Sequence, residues 1–358
     1  MIERLDNVTG VETPRPRLDP AVAAVRLAVR SALADALADG LLQHGDAVLV
    51  ALSGGPDSLA LAAAAAFEAP KQGLHAGAVI VDHGIQVGSA AVASRASRQA
   101  AELGLAPVLV RRVQVGQEGG PEAAARDARY RALADAATAT GSAAILLGHT
   151  LDDQAETVLL GLARGSGPDS LSGMASVHRA GGTTYLRPLL AVRRAATRAA
   201  CVASGLAPWE DPQNDDAAFT RVRVRNRVLP VLERELGPGV ADALARTAEQ
   251  LREDASALDR FAEEQAEDLA EHADAGIALS VSGLAANPAA LRQRLVRLAV
   301  ESEFGIVLSR VQTLEVCRLV TDWSGQGPIH LPGVMVSRRG ERLLFASTVD
   351  GTAATPEA

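Results

Sequence analysis

The stretch Val48-Leu49-Val50-Ala51-Leu52-Ser53-Gly54-Gly55-Pro56-Asp57-Ser58-Leu59-Ala60-Leu61 decides the fold. The run Ala47 to Leu52 is short, uninterrupted and apolar, with β-branched Val48 and Val50. Such a run reads as a strand buried on both faces of a parallel sheet. Ser53-Gly54-Gly55 ends it. Pro56 suits the first turn of a helix, and Leu59, Leu61 and the alanines carry apolar residues on to Phe67. The unit is strand, glycine turn, helix.

The turn has a chemical use. Two glycines allow positive φ and a close approach of backbone to ligand. The first N–H groups of a helix lack partners within it, and the positive end of the helix dipole lies behind them. With the hydroxyls of Ser53 and Ser58, residues Ser53, Gly54, Gly55, Pro56, Asp57 and Ser58 make an anion cradle suited to phosphate. Asp57 has a place beside phosphates if it holds Mg²⁺ against them. A Gly-Gly turn alone also fits a plain βα connection. The Gly-Lys-Ser/Thr ending of kinase and GTPase P-loops is missing.

Working outward, the apolar positions Val22, Val25, Val29, Leu33 and Leu37 predict a helix that stops at Gly40. Ala76 to Val81 predicts a second strand, ending in Asp82-His83-Gly84. A helix is expected from Ser89 to Leu103, a third strand over Pro107–Val113 and a helix over Glu122–Thr140. A fourth strand over Ala143–Leu147 ends in Gly148-His149, a helix follows over Asp152–Leu162, and Thr183–Leu186 suits a fifth strand. This alternation predicts an α/β, doubly wound, Rossmann-like parallel sheet, whose ligands bind outside the carboxyl ends of the strands. That rule gathers Ser53–Ser58, Asp82-His83 and Gly148-His149 at one edge.

Two further stretches carry chemistry. In Gly148-His149-Thr150-Leu151-Asp152-Asp153-Gln154-Ala155-Glu156, the carboxylates lie in the first turns of a helix. They suit metal binding or proton transfer, although acids that cap a helix account for Asp152 and Asp153 taken singly. In Glu122-Ala123-Ala124-Ala125-Arg126-Asp127-Ala128-Arg129-Tyr130, Arg126 and Arg129 share a helix face. They suit phosphate or a nucleotide backbone, although an exposed salt-bridged helix has the same pattern.

The whole chain sets bounds. Its 358 residues suggest two domains. Hydrophobic residues make up 48% and aromatics 3%, so the core must be Ala, Leu and Val. Lys71 is the only lysine, which excludes a paired-lysine or Schiff-base site elsewhere. The two cysteines, Cys201 and Cys317, lie far apart in sequence and spell neither a disulfide framework nor a zinc site, and a reducing cytoplasm is expected. Neither a signal peptide nor a membrane-length apolar run is seen. A net charge of −8 argues against a nucleic-acid partner on average, but arginines cluster at 187–198, 221–227, 292–297 and 338–342.

Ser53–Ser58 resembles the pyrophosphate loop of the N-type ATP pyrophosphatases, which cut ATP between the α and β phosphates. Taken with Asp82-His83-Gly84, Glu122-x-x-x-Arg126-x-x-Arg129-Tyr130, Gly148-His149-x-x-Asp152-Asp153-Gln154-x-Glu156-Thr157, Arg164–Gly167, Leu171–Met174, Arg187–Leu190 and Trp209-Glu210-Asp211-Pro212-x-Asn214, it resembles the tRNA(Ile)-lysidine synthases from Val48 to Pro230. The resemblance implies adenylation of the wobble cytidine of tRNA(Ile) with a CAU anticodon, followed by displacement of AMP by free L-lysine. It implies that Ser53 to Ser58 bind ATP, that Asp57, His149, Asp152, Asp153 and Glu156 serve catalysis, and that Asp57 and Asp153 hold Mg²⁺. Arg126, Arg129, Arg187, Arg221, Arg223 and Arg225 are implied to contact tRNA or the reacting nucleotide. Two departures stand out. Ile85-Gln86 follows His83-Gly84 where the family often has Leu-Arg, and Val222 stands where its Arg-Asn run has Asn.

The implied organisation is a tail over 1–18, an ATP pyrophosphatase domain over 19–230, a smaller, mainly helical tRNA-recognition domain over 231–348 and a tail over 349–358. Within the second domain, Leu232 to Ala273 is expected as one acidic helix, followed by helices over Pro288–Ser302 and Arg310–Asp322. Ile329–Phe345 is expected as a hairpin. A cytoplasmic location is expected; the sequence does not set the oligomeric state, and a homodimer is one option left open. A tRNA thiolase would call for a cysteine pair or Fe–S ligands. NAD or GMP synthetases do not suit the later motifs, and a nucleotide sensor without chemistry would not need His149, Glu156 or the Arg126/Arg129 pair.

Overall fold

The computed structural model describes residues 18–348 apart from 85–87, 115, 117–119, 166 and 274–275. Both expected tails lie almost wholly outside that range, as do Ile85-Gln86. The chain divides into two compact units, Met1–Glu249 and Gln250–Ala358.

In the first unit the strands and helices alternate: α1 (Pro20–Ala38), β1 (Ala47–Ala51), α2 (Pro56–Glu68), β2 (His75–Asp82), α3 (Ser89–Glu102), β3 (Val108–Arg112), α4 (Pro121–Thr140), β4 (Ala144–Leu146), α5 (Leu151–Ala163) and the short α6 (Pro168–Leu171). A hairpin, β5 (Val177–Ala180) and β6 (Thr183–Leu186), precedes α7 (Arg194–Ala203). The sheet order is β3-β2-β1-β4-β6-β5, parallel throughout except for β5 against β6.

Successive strand residues face opposite sides, and the sheet is covered on both. Val48, Val50, Ala78, Ile80, Ala144 and Leu146 enter the core shared with α1, α2 and α7. Leu49, Val79 and Ile145 enter the other, against Leu133, Ala136 and Ala137 of α4. Burial on both faces is why these strands read as unbroken apolar runs. From β1 the chain winds outward to β2 and β3, then crosses back to place β4 on the other side of β1. The crevice of a doubly wound sheet therefore opens at the carboxyl ends of β1 and β4.

After α7 come α8 (Thr220–Arg223), one wide helical turn over Val224–Val228, α9 (Leu229–Leu236) and α10 (Val240–Leu269). The single acidic helix expected from Leu232 is broken. Gly237 and Gly239 take φ of 98° and 97° on either side of Pro238, a backbone that only glycine adopts freely and a residue without an N–H.

The second unit adds α11 (Val281–Ala286), α12 (Ala289–Phe304) and α13 (Arg310–Thr321) to a five-stranded antiparallel sheet. The sheet comprises β7 (Ala270–Ala273), β8 (Gly276–Ser280), β9 (Ile329–Leu331), β10 (Val334–Arg339) and β11 (Arg342–Ser347), in the order β7-β8-β11-β10-β9. The expected hairpin is its β10–β11 pair, and the sheet is larger than the sequence suggested. Its core joins Leu279, Val334, Val336, Leu343 and Phe345 to Leu295, Val296, Val316 and Leu319 of the helices. Several arginines of the expected phosphate-contacting clusters are engaged inside this unit. Arg294 pairs with Asp259 at 2.7 Å, Arg342 with Glu271 at 2.6 Å, and Arg338 donates to the Leu319 carbonyl at 3.0 Å.

Candidate active site

At the end of β1 the chain turns through Gly54, whose φ of 86° excludes an ordinary side chain. Gly55 is the N-cap of α2 and makes no side-chain cap, so the helix N-terminus is open. Ser58 ties the turn down: its Oγ accepts from the Ser53 N–H at 3.2 Å and donates to the Gly55 carbonyl at 3.0 Å. From outside the loop, the Trp209 N–H donates to the Gly54 carbonyl at 2.9 Å. Gly148, just past β4, comes so near that a Cβ there would lie 3.2 Å from both Asp57 C and Ser58 N. The phosphate loop and the β4 edge are thus in backbone contact, as the strand-end rule requires.

Between them lies a cavity of about 630 Å³ lined by Ser53, Gly55–Ser58, Asp82, His83, Arg129, His149, Asp153, Arg194 and Arg225. His83 Nδ1 is buried there with no partner among the described residues. Arg129 has no carboxylate within ion-pair range among the described residues, and burial lowers its pKa. The Glu122 side chain lies outside the described residues.

His149 follows Gly148. Arg187, itself buried, donates from Nε to His149 Nδ1 at 3.3 Å and from Nη1 to the Ala175 carbonyl at 2.7 Å. With Nδ1 accepting, the ring proton sits on Nε2. Burial, with Arg187, Arg129 and Arg221 nearby, pushes the imidazole down to about 3 against the pull of Asp153. His149 is a neutral ring at ordinary pH.

The acids of α5 are bound up more tightly than the sequence indicated. Thr150 and Asp153 form a capping box: the Thr150 N–H and hydroxyl each donate to Asp153 Oδ2 at 2.8 Å. Asp152 Oδ2 accepts the Arg194 N–H at 2.7 Å, and its Oδ1 pairs with Arg193 at 3.3 Å. Glu156, fully buried, receives Arg194 at 3.1 Å on Oε1, Arg225 at 2.7 Å on Oε1 and Arg221 at 2.7 Å on Oε2. Asp153 Oδ1 takes Arg194 at 2.8 Å and lies 3.4 Å from Arg225. Burial pushes Asp153 up, but Arg194, Arg221 and the Thr150 donors outweigh it and hold the carboxyl below its usual range.

Asp57 is reached from behind by α7. Thr197 Oγ1 donates to Asp57 Oδ1, and Arg194 Nε lies 3.4 Å from Oδ2. Burial raises the Asp57 pKa despite both contacts. Arg194, Thr197 and Cys201 recur on one face of α7, and Cys201 Sγ donates to the Pro56 carbonyl at 3.3 Å.

The sequence-predicted residues therefore separate into groups. Ser53, Gly55–Ser58, His149, Asp153, Arg129 and Arg225 meet in the cleft. Arg221 and Arg225 serve as counter-ions of Glu156. Arg187 orients His149, and Arg223 binds the carbonyls of Ala217 and Ala218 at 2.7 Å. Arg126 is exposed over the Tyr130 ring at 4.8 Å. The four oxygens of Asp57 and Asp153, assigned to Mg²⁺ by resemblance, are taken by Thr197, Arg194 and Thr150. No group of three or more His, Cys, Asp or Glu among the described residues is placed to hold a metal ion. As arranged here, these side chains fit a guanidinium and not a protein-held metal ion. In the sequence Arg194 stands out only as one member of the 187–198 basic cluster and Thr197 not at all, although the two share one face of α7.

An open helix N-terminus at the switch point of a doubly wound sheet suits nucleotide phosphates, and the PP-loop domain model matches residues 26–232, which puts the chain in the PP-loop class. The TilS substrate binding domain model matches residues 279–344. Curated relatives include a tRNA(Ile)-lysidine synthase of Leifsonia xyli subsp. xyli, 64% identical over 85% of this chain and 91% of that protein. Another, from Streptomyces coelicolor, is 55% identical over 83% of this chain and 84% of its own length. The chain belongs to the tRNA(Ile)-lysidine synthase family. Among solved structures, a U34-tRNA thiolase from Methanococcus maripaludis shares the fold, with a TM-score of 0.54 at 20% identity over 65% of this chain and 80% of that one. No helix among the described residues is long and apolar enough to cross a membrane.

Proposed function

We propose that this chain ligates free L-lysine to C2 of the wobble cytidine in tRNA(Ile) with a CAU anticodon, converting ATP to AMP and pyrophosphate. A cytosine carbonyl is a poor electrophile toward an amine. In the first step its O2 attacks the α-phosphorus and pyrophosphate leaves. In the second, the neutral ε-amine of lysine attacks C2, the C2–O2 bond breaks, AMP departs with that oxygen, and the amine loses a proton. Little covalent work falls to the protein, so positioning and charge dominate.

In this reading the N–H groups at the start of α2, with Ser53 and Ser58, hold the departing pyrophosphate. Arg129, a cation facing the cleft, offsets negative charge at the transferring phosphorus. His149 presents Nε2–H as a donor, its ring fixed by Arg187. Arg126, exposed one helical turn before Arg129, contacts the tRNA backbone in this reading. Mg²⁺ accompanies ATP, and the enzyme acts in the cytoplasm as a homodimer, which sedimentation would test.

The observation that carries the reading is the open N-terminus of α2, facing a polar cavity across from Arg129 and His149, in a chain of this family. The test is ATP-dependent incorporation of labelled lysine into tRNA(Ile) transcripts, with one pyrophosphate released per lysine. Equal labelling of a methionine tRNA with the same anticodon would contradict the specificity, and no labelling of either would contradict the reaction.

A further inference from the structure

Three carboxylates, Asp57, Asp153 and Glu156, converge on the single guanidinium of Arg194, at 3.4, 2.8 and 3.1 Å. These three come from two different elements, α2 and α5, so Arg194 is the side chain that ties the phosphate loop to the opposite wall. Arg221 and Arg225 complete the set. The balance is three negative charges against three positive, so the cluster is neutral as built. A divalent ion added here would leave two positive charges uncompensated in a partly buried place, which is costly. Without Arg194 the same cluster carries one net negative charge and has carboxylate oxygens with no donor.

From this balance we propose that Arg194 is the resident cation of the cleft and a positioning residue for Asp57: it fills the place among the three acids, so a divalent ion binds only on the phosphates of an incoming nucleotide and not on the protein alone. The proposal rests on reading the cleft as an ATP site, and it concerns where the cation sits, not which base is modified. Planarity matters. A guanidinium has donors in several directions in one plane and serves three acceptors at once, which a lysine ammonium would do with poorer geometry.

The experiment is Mn²⁺ binding to the full chain, read by the electron paramagnetic resonance signal of free Mn²⁺, with and without a non-hydrolysable ATP analogue. Wild type is expected to hold no stoichiometric Mn²⁺ alone and to hold it once the analogue is present. Arg194→Gln is expected to bind Mn²⁺ without nucleotide about tenfold more tightly than wild type, or better. Arg194→Lys, which keeps the charge, is expected to exclude it. Wild type binding one Mn²⁺ without nucleotide, and losing it in Asp57→Asn, would overturn the proposal, as would an Arg194→Gln protein that binds no more tightly than wild type. Should Arg194→Gln fail to fold, the wild-type titration decides alone. Lysine incorporation measured in parallel separates the two readings: its failure with the expected Mn²⁺ pattern removes the reaction and leaves the cation assignment standing.

Discussion

Glu156→Gln keeps the shape of a fully buried side chain and removes the charge that three arginines share. Truncating one partner of a buried ion pair costs about 3–5 kcal/mol, because the other charge is left uncompensated. Here Arg194, Arg221 and Arg225 are 15%, 34% and 24% exposed, and water screens part of the loss. The expected cost is therefore about 2–3 kcal/mol. For a unit of this size each kcal/mol moves Tm by about 2–4 °C, so the variant should melt about 4–12 °C below wild type. Calorimetry measures the shift, and lysine incorporation per folded molecule measures what remains. The reasoning places Glu156 as an anchor for the 221–225 segment. A variant that melts with wild type yet has lost all turnover would refute it and make Glu156 a participant in the chemistry.

Gly148→Ala puts a methyl group 3.2 Å from the backbone of Asp57 and Ser58, where neither wall is a flexible side chain; ATP affinity should fall about tenfold by titration calorimetry, and unchanged affinity would mean the loop moves freely. Thr197→Val removes the hydroxyl that holds Asp57 Oδ1, so turnover should fall while ATP still binds, with Thr197→Ser restoring it; a Ser variant as impaired as Val would point to lost packing instead. The His149 imidazole, with a folded pKa of about 3 against an ordinary 6.5, should show no titration by NMR in the neutral range. Because that pKa is lowered, its linkage to stability is neutral above 6.5 and turns unfavourable as pH falls from there toward 3, where the unfolded chain takes up the proton first. A midpoint near 6.5 would refute the buried neutral ring.

The parallel sheet was legible because its strands are buried on both faces, which writes them as continuous runs such as Ala47–Leu52 and Ala76–Val81. The site's edge was legible for the same reason: once the strands were placed, their carboxyl ends gathered Ser53–Ser58 and His149. β5 was missed because it lies at the sheet edge with three of its four residues exposed, which leaves no alternation to detect, although Gly181-Gly182 marked the turn. The break before α10 was signalled by Gly237-Pro238-Gly239 and was overridden by the acidic pattern around it. What local sequence could not show was the partner of each arginine. Arg187, Arg194, Arg221 and Arg225 meet their imidazole and carboxylate partners 38 to 137 positions away, and no spacing rule reaches that far. A basic run in an acidic chain looks like a ligand surface until the counter-ions are located.

The ion cluster also has an order in time. Glu156 leaves the ribosome well ahead of the arginines that neutralise it, and the last of these, Arg225, follows 69 residues later. Until Arg221 and Arg225 emerge, Glu156 has only Arg194 of its three counter-ions, although the glycine turn and every strand of the sheet precede them in the chain. A fragment that stops at residue 215 should thus carry the whole phosphate loop and still fail to retain ATP on a filter, whereas one extended to residue 249 should succeed.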